Sequence, residues 1–398
     1  MTNTLLTPTA VTREALRVLH QKLNFIGSIN RSYDDSFAKT GAKIGDSLKV
    51  RLPNQYTVTT GATMTAQDTA ETSVTLQVAT QKHVGMNFSS NELTLSLDDF
   101  SKRIIAPAMA VLAASMEADA TSMYKDIYQQ TNQGTLTAAL SLATVLGGRQ
   151  KLVEALAPAG DWVANLCPRN TVDLVSELKA LFHDASAIKQ QYREGSMGRT
   201  AGFDFMENTH WARHTSGSAG ATDYDVNGAA ESGATITVKT GSNTFTKGDI
   251  VTFAGCYDVH PETKVSRATL KQFVITTAYA GGAGTIAISP SIIISGATQN
   301  CSGYPTDSGD VTKVAAASKA YDLSMLYHPD AFTFVTADLT MPRDAHFAAR
   351  EVYDGISMRI WQSGDIINDK FPCRVDVLYG YKTIRPQLAC RIASNSDA

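Results

Sequence analysis

No run of about 18 apolar residues interrupts the sequence, so no segment reads as a transmembrane helix and no membrane partner is expected. The opening stretch, MTNTLLTPTAVTREAL, lacks the basic region followed by an apolar core that marks a secretory signal. Charge is scarce as well. Asp, Glu, Lys and Arg make up 18% of the 398 residues, against about 25% in an average soluble domain. Ser, Thr, Asn, Gln and Gly supply the polar surface instead, and a surface with few strongly solvated charges can be buried against a partner at low desolvation cost. The balance of 35 basic and 38 acidic residues gives a net charge of −3, with no long basic run. Tight binding to nucleic acid through its phosphates needs clustered Lys and Arg, so the balance argues against a dedicated DNA-binding domain. A wall that encloses DNA without gripping it is compatible with these numbers.

Cysteine is equally sparse. Cys167, Cys256, Cys301, Cys373 and Cys390 are odd in number, widely spaced and free of any C-x-x-C pair. That pattern argues against a disulfide framework or a zinc site and for free thiols in a reducing compartment. Catalytic signatures are missing too: no G-x-x-x-x-G-K-[ST], no G-x-G-x-x-G, no H-E-x-x-H and no G-x-S-x-G. His210 and His214 have the i, i+4 spacing that binds metal on a helix, but they border a Gly/Ser-rich stretch with Arg213 beside them. His183 and Asp184 are adjacent and would not face each other on a helix. Asp365 and Asp369 in GDIINDK read as a turn between strands. No catalytic residue, cofactor or metal is expected, although an enzyme whose site is assembled by geometry alone leaves no such trace.

A chain of this length predicts two or three folding units. Near the start, Val11, Ala15, Leu16, Leu19 and Leu23 recur at helical spacing, with Thr12 as a candidate cap. This helix either packs on its own domain or reaches a neighbour as part of an arm at 1–45. Strand alternation begins at Leu48, Val50 and Leu52, ends at Pro53, and resumes with Val74, Leu76 and Val78, then Val84, Met86 and Phe88. Between them TTGATMTAQDTAETS holds one large apolar residue, Met64, which predicts an extended two-stranded arm over 53–82 with a polar tip. Phe100, Ile104, Ala108, Leu112, Met116, Met123 and Ile127 predict a long helix over 98–129, kinked at Pro107 or beginning there. A second helix is expected from Leu142 to Leu156, a short strand over Trp162–Cys167, and a third helix capped by Asn170.

After Trp211 the composition shifts. THWARHTSGSAGATDYDVNGAAESGA is linker chemistry. TITVKT, DIVTF, QFVITT, TIAIS and SIIIS then predict a run of short strands, closed by GATQNCSGYPTDSGD, so that 222–312 reads as an inserted β-domain whose ends lie close together. AFTFVTADL and the alternation at Ile356, Met358 and Ile360 are strands. CRVDVLYGYKTIRPQLACRI reads as a last strand pair with Gly380 between its members.

Five stretches, in order, resemble the major capsid proteins of tailed phages, with the Hong Kong ninety-seven type of fold. They are RIIAPAMAVLAASMEADA (103–120), RTAGFDFMENTH (199–210), TKGDIVTFAG (246–255), DLSMLYHPDAFTFVTADL (322–339) and GISMRIWQSGDIINDKFPCRVDVLYGYKTIRPQLACRI (355–392). They are most similar to the short-tailed Salmonella phage coat protein group, which carries an inserted β-domain. The resemblance implies an α+β phage capsid fold. Its parts would be an N-terminal arm (1–45) and a peripheral domain (46–134) with an extended loop (53–82) and a spine helix (98–129). An axial domain (135–221), an inserted barrel-like all-β domain (222–312) and closing strands of the axial and peripheral domains (313–398) would follow. It also implies hexamers and pentamers closing an icosahedral shell, procapsid maturation, scaffolding and portal proteins as partners, packaged DNA held non-specifically, and assembly in the host cytoplasm into the virion capsid. Gly61, Met64, Asp68 and Glu71 of the extended loop are the candidate subunit-interface residues. An encapsulin-type nanocompartment shares the fold type and is the alternative, though encapsulins usually lack the inserted domain.

Overall fold

The computed structural model describes residues 8–31, 47–64, 66–68, 71–89, 105–178, 198–342, 347–353, 355–364 and 370–397. The mixture of 20% helix and 40% strand is α+β, as expected. Internal contacts divide the chain into two units. One comprises Met1–Arg51, Ser73–Ala120 and Phe332–Ile384; the other comprises Leu52–Thr72, Thr121–Ala331 and Arg385–Ala398.

In the first unit, β1 (Ser47–Arg51) and β2 (Ser73–Gln77) form an antiparallel ladder from Ser47↔Gln77 to Arg51↔Ser73. Beside it lies an antiparallel sheet built round β19 (Lys370–Thr383). β3 (Thr80–Ser89) pairs along one edge of β19, from Lys370↔Ser89 to Tyr379↔Thr80. The other edge takes β18 (Ile356–Gln362) and then β16 (Phe332–Ala337), and β17 (Phe347–Tyr353) adds to β18. Val375, Val377, Leu378 and Tyr379 are all buried, and so is Asp376 between them, its carboxylate paired with Arg359 at 2.6 Å and Arg374 at 2.5 Å; the sheet is covered on both faces here. Leu378 meets Leu76, Val78, Val335 and Ala337, while the Tyr379 hydroxyl donates to Asp119 at 2.6 Å.

Asp119 belongs to α3 (Ala106–Thr121). Met109, Leu112, Ala113, Met116 and Ala120 line its buried stripe, and Pro107 sits in its first turn, where a missing N–H costs nothing. A 3-10 turn over Ser122–Asp126 continues it; residues 98–104 of the expected helix lie outside the described residues. The described part of the N-terminal segment folds back on its own unit. α1 (Pro8–Lys22) packs against β17 and β18 through Val11, Ala15, Leu16 and Leu19. Thr12 is buried inside that helix rather than capping it. The buried Glu117 carboxylate accepts the N–H groups of Phe25 and Ile26 at 3.1 and 3.0 Å, which fixes the start of α2 (Phe25–Ser28).

Gly380 is not a turn. β19 runs straight through it, opposite Val335. A Cβ there would stand 2.2 Å from the Gln77 carbonyl, so the residue is small because another backbone crosses it. The chain turns instead at a 3-10 turn, Pro386–Leu388, and β20 (Ala389–Ser394) joins a different sheet.

That sheet organises the second unit. Its order is β4 (Gln130–Thr131), β20, β15 (Ala320–Tyr327), β5 (Trp162–Leu166), β7 (Phe203–Glu207) and β6 (Arg199–Thr200). α4 (Leu142–Glu154) and α5 (Pro168–Leu178) pack against it, around a core of Val145, Leu152, Trp162, Leu174, Phe203, Leu326 and Ile392. Ser141 caps α4 by accepting from the Thr144 N–H at 3.2 Å. Asn170 is not a cap: it lies inside α5, fully buried, donating to Ser324 at 2.8 Å and accepting from Ser394 at 2.6 Å.

The inserted all-β domain is a closed antiparallel barrel. Its order is β10 (Gly233–Lys239), β13 (Gly284–Ile292), β12 (Ser266–Ile275), β11 (Ile250–Val259), β14 (Asp310–Lys313) and β9 (Tyr224–Val226), which returns to β10. TIAIS and the start of SIIIS join in one strand, β13. Closure removes exposed edges, and Tyr224, Ile236, Val238, Phe245, Val251, Phe253, Phe273, Ile275, Ile286 and Val311 fill the interior. The chain enters through β8 (His214–Thr215) and leaves into β15, and these two pair as Thr215↔Ala320 and His214↔Tyr321. The Gly- and Ser-rich approach is therefore a stem rather than a linker. Ser216 and Gly217 exchange backbone hydrogen bonds with Lys319 and Ser318, and a Cβ at Gly217 would lie 2.2 Å from the Thr244 carbonyl.

Candidate subunit interface

The loop between β1 and β2 starts from a well-held base. Leu76 and Val78 are buried, Leu48 packs on the same cluster, and the Leu52 N–H reaches the Thr72 carbonyl at 2.9 Å. Beyond that point the support ends: none of the described residues from 52 to 72 is buried. Two hydrogen bonds cross the loop, from the Thr57 N–H to the Gln67 side chain at 2.9 Å and from Gln67 Nε2 to the Thr57 carbonyl at 2.5 Å. They give the loop a waist without a core.

All four expected interface residues lie on this loop and face solvent. Gly61 takes a φ of +139° at the tip, a region that disfavours side chains. Met64 is 86% exposed, and Asp68 and Glu71 are exposed on the returning limb. The sequence reading missed two companions. Tyr56 is 56% and Val58 98% exposed, on the outgoing limb just after Pro53. Their signal was weak: two large apolar side chains at strand spacing, beside a polar tip and just after an alternating run, read as part of the strand. Three exposed apolar groups on one short loop form a surface that gains by being covered.

The other polar constellation is of a different kind. His214 is 2% exposed and Asp249 is fully buried. His214 Nε2 lies 3.0 Å from Asp249 Oδ1, and Nδ1 lies 3.2 Å from the Tyr124 hydroxyl. Burial lowers the His214 pKa, with the hydrogen bond to Asp249 opposing it and nearby Arg391 and Lys125 adding to it. Burial alone would raise the Asp249 carboxyl, but donors at His214, Thr246 and Gly217 outweigh it and hold the pKa low. The pair is thus a neutral imidazole donating to a carboxylate, with Tyr124 donating to the other ring nitrogen. The rings of Tyr124 and Tyr321 pack on His214, centroids 5.7 and 5.3 Å away. Arg391, fully buried, donates to the Gly248 carbonyl at 2.9 Å and to Gln130 at 2.8 Å.

This cluster has the ingredients of proton-transfer chemistry but offers a substrate no access. It ties β20, β4, the stem and the first barrel turn into one polar junction, a structural duty. His210 bonds Asn208 and does not join it. Among the described residues no group of three or more His, Cys, Asp or Glu side chains could hold a metal, and none of the helices is long and apolar enough to cross a membrane. His183, Asp184, Asp365 and Asp369 lie outside the described residues.

A family model described as P22 coat protein, gene protein 5, matches residues 38–391. Among solved structures the chain is similar to one described as Mycobacterium phage Che8, at 12% identity over 93% of this chain and 90% of that one, with a TM-score of 0.48. It is also similar to the capsid of Ralstonia phage GP4, at 7% identity over 91% and 86%, with a TM-score of 0.47. A virus-like particle from Pyrococcus furiosus aligns at 8% identity over 96% and 98%, with a TM-score of 0.39. No curated protein matches the chain.

Proposed function

Because the chain belongs to the P22 coat protein family and is a major capsid protein that builds a phage head, we propose that the loop at 52–72 is what joins each subunit to its neighbours. One observation carries this reading: Tyr56, Val58 and Met64 are exposed together on a loop whose base is anchored and whose body is not. A hairpin without a core is marginal in water. Laid on a neighbour, it buries those three side chains and brings Asp68 and Glu71 to basic partners, each such pair contributing about 0–1 kcal/mol. Weak contacts repeated round a ring still close a shell, because every subunit makes several at once.

In this reading hexamers and pentamers form the shell, a scaffolding protein and a portal guide assembly in the host cytoplasm, and DNA is enclosed without specific contacts. The subunit catalyses no reaction. The encapsulin alternative is the weaker one, since the family match runs through the inserted barrel.

The test replaces residues 61–69 with an Asn-Gly turn. The shortened subunit is expected to melt within a few degrees of the parent yet form no closed shells by negative-stain microscopy. Normal shells would refute the assembly role. Loss of the folded subunit would show that the loop belongs to the subunit's own fold.

A further inference from the structure

Two of the five cysteines meet inside the barrel. Cys256 is on β11 and Cys301 is in the segment that crosses from β13 to β14, and both are fully buried. Their sulfurs are 2.9 Å apart. The backbone holds them there: Asp258, two residues after Cys256, forms a β-bridge with Cys301, and the Ser302 N–H donates to the Tyr257 carbonyl at 2.9 Å. The Cys301 N–H reaches the Ile293 carbonyl at 3.1 Å, so the crossing segment is pinned on both sides of the pair. An ion-paired group lies close by, Lys271 with Asp258 at 2.6 Å and Arg267 with Asp258 at 3.1 Å. All five cysteines are free thiols in this structure.

We propose that Cys256 and Cys301 are a peroxide-oxidisable disulfide site that locks the barrel. The electron balance is simple. One thiolate attacks hydrogen peroxide, its sulfur is oxidised to a sulfenic acid and hydroxide leaves. The second thiolate attacks that sulfenic sulfur, the S–S bond forms and a second hydroxide leaves. The two thiol protons convert the two hydroxides to water, so two thiols and one peroxide give one disulfide and two waters. The hydrogen bond between the sulfurs and their burial hold Cys256 strongly in the protonated form, so oxidation waits on local opening of the barrel. A small oxidant is needed because the enclosed pair has no room for a bulky disulfide reagent. Once made, the bond links positions 45 residues apart and encloses β12 and β13 in one covalent loop. It would act chiefly by restricting the unfolded chain.

The experiment uses the full chain. Native protein is incubated with hydrogen peroxide, quenched, denatured, alkylated with N-ethylmaleimide and mapped by mass spectrometry without reduction. The expected result is a cross-linked peptide containing Cys256 and Cys301, three alkylated cysteines, and a melting temperature higher by roughly 5–10 °C that dithiothreitol reverses. Cys256→Ser and Cys301→Ser are each expected to abolish the cross-link and the shift. Five alkylated cysteines after treatment would overturn the proposal, as would sulfinic or sulfonic acid at either position or a cross-link to Cys167, Cys373 or Cys390. Mapping the unmutated chain decides the matter even if a serine variant fails to fold.

Discussion

The inserted barrel and the loop at 52–72 draw on similar residues, rich in Thr, Gly and Ala, and reach opposite physical outcomes. In the barrel, alternation sends Val, Ile, Phe and Tyr to one face of each strand, and closure buries that face completely. In the loop, Tyr56 and Val58 keep strand spacing but Met64 stands apart from them, and all three remain exposed. Composition alone does not separate the two. What separates them is whether enough apolar residues follow at that spacing for a sheet to close over them. One region is finished within the chain, and the other is completed by a second copy in the reading proposed above.

Substitutions sharpen this contrast, beginning with the largest effect. Phe273 is fully buried against Phe253, with ring centroids 5.3 Å apart. Phe273→Ala is expected to cost about 3–5 kcal/mol, read from urea unfolding of the whole protein; a loss below about 1 kcal/mol would mean the barrel interior is not tightly packed. A smaller effect lies at the barrel's stem. The folded His214 binds its proton less readily than an unfolded histidine, whose pKa is about 6.5. Its contribution is therefore complete above that pH and is lost as pH falls below it. Urea midpoints should drop between pH 7.5 and pH 5, and His214→Gln should flatten the drop. His210, also lowered by burial, accounts for a remainder. Asp249, held low, loses its contribution only in stronger acid. An unchanged slope in the His214 variant would remove the stem from the account of acid sensitivity. The smallest effect belongs to the loop. Met64→Ala should alter subunit stability by less than about 0.5 kcal/mol, while slowing shell formation in light scattering. A large loss of subunit stability would erase the contrast between the two regions.

Much of this was legible in the sequence because it is local. The β-branched runs from Thr235 onward specify barrel strands, and Leu112 and Met116, four apart, specify a buried helix face. The polar tip round Met64 specifies a loop. What escaped depends on contacts between distant segments. Gly380 has the look of a turn, yet its smallness answers to the Gln77 backbone. Asn170 has the look of a cap, yet it serves Ser324 and Ser394 from inside a helix. The stretch after Trp211 has linker composition, yet its small residues let the stem strands approach. Cys256 and Cys301 have no spacing signature, since only the crossing from β13 to β14 brings them together. On the loop at 52–72, Met64 was found by its isolation, whereas Tyr56 and Val58 were hidden by their nearness to a strand.

The paired stem has a consequence in time. β5 finds its neighbour β15 only after the whole barrel has been synthesised, and β3 waits for β19, close to the end of the chain. The barrel strands, by contrast, follow one another without a break from β9 to β14. As the chain leaves the ribosome, the insertion completes all its pairings after the two-stranded β1–β2 ladder and before either of the larger sheets, because its strands are contiguous in sequence. Once closed, it holds β8 beside the start of β15 and shortens the search that remains for the host sheet. The insertion is thus placed to act as a clasp made early, round which the later parts of the subunit are drawn together.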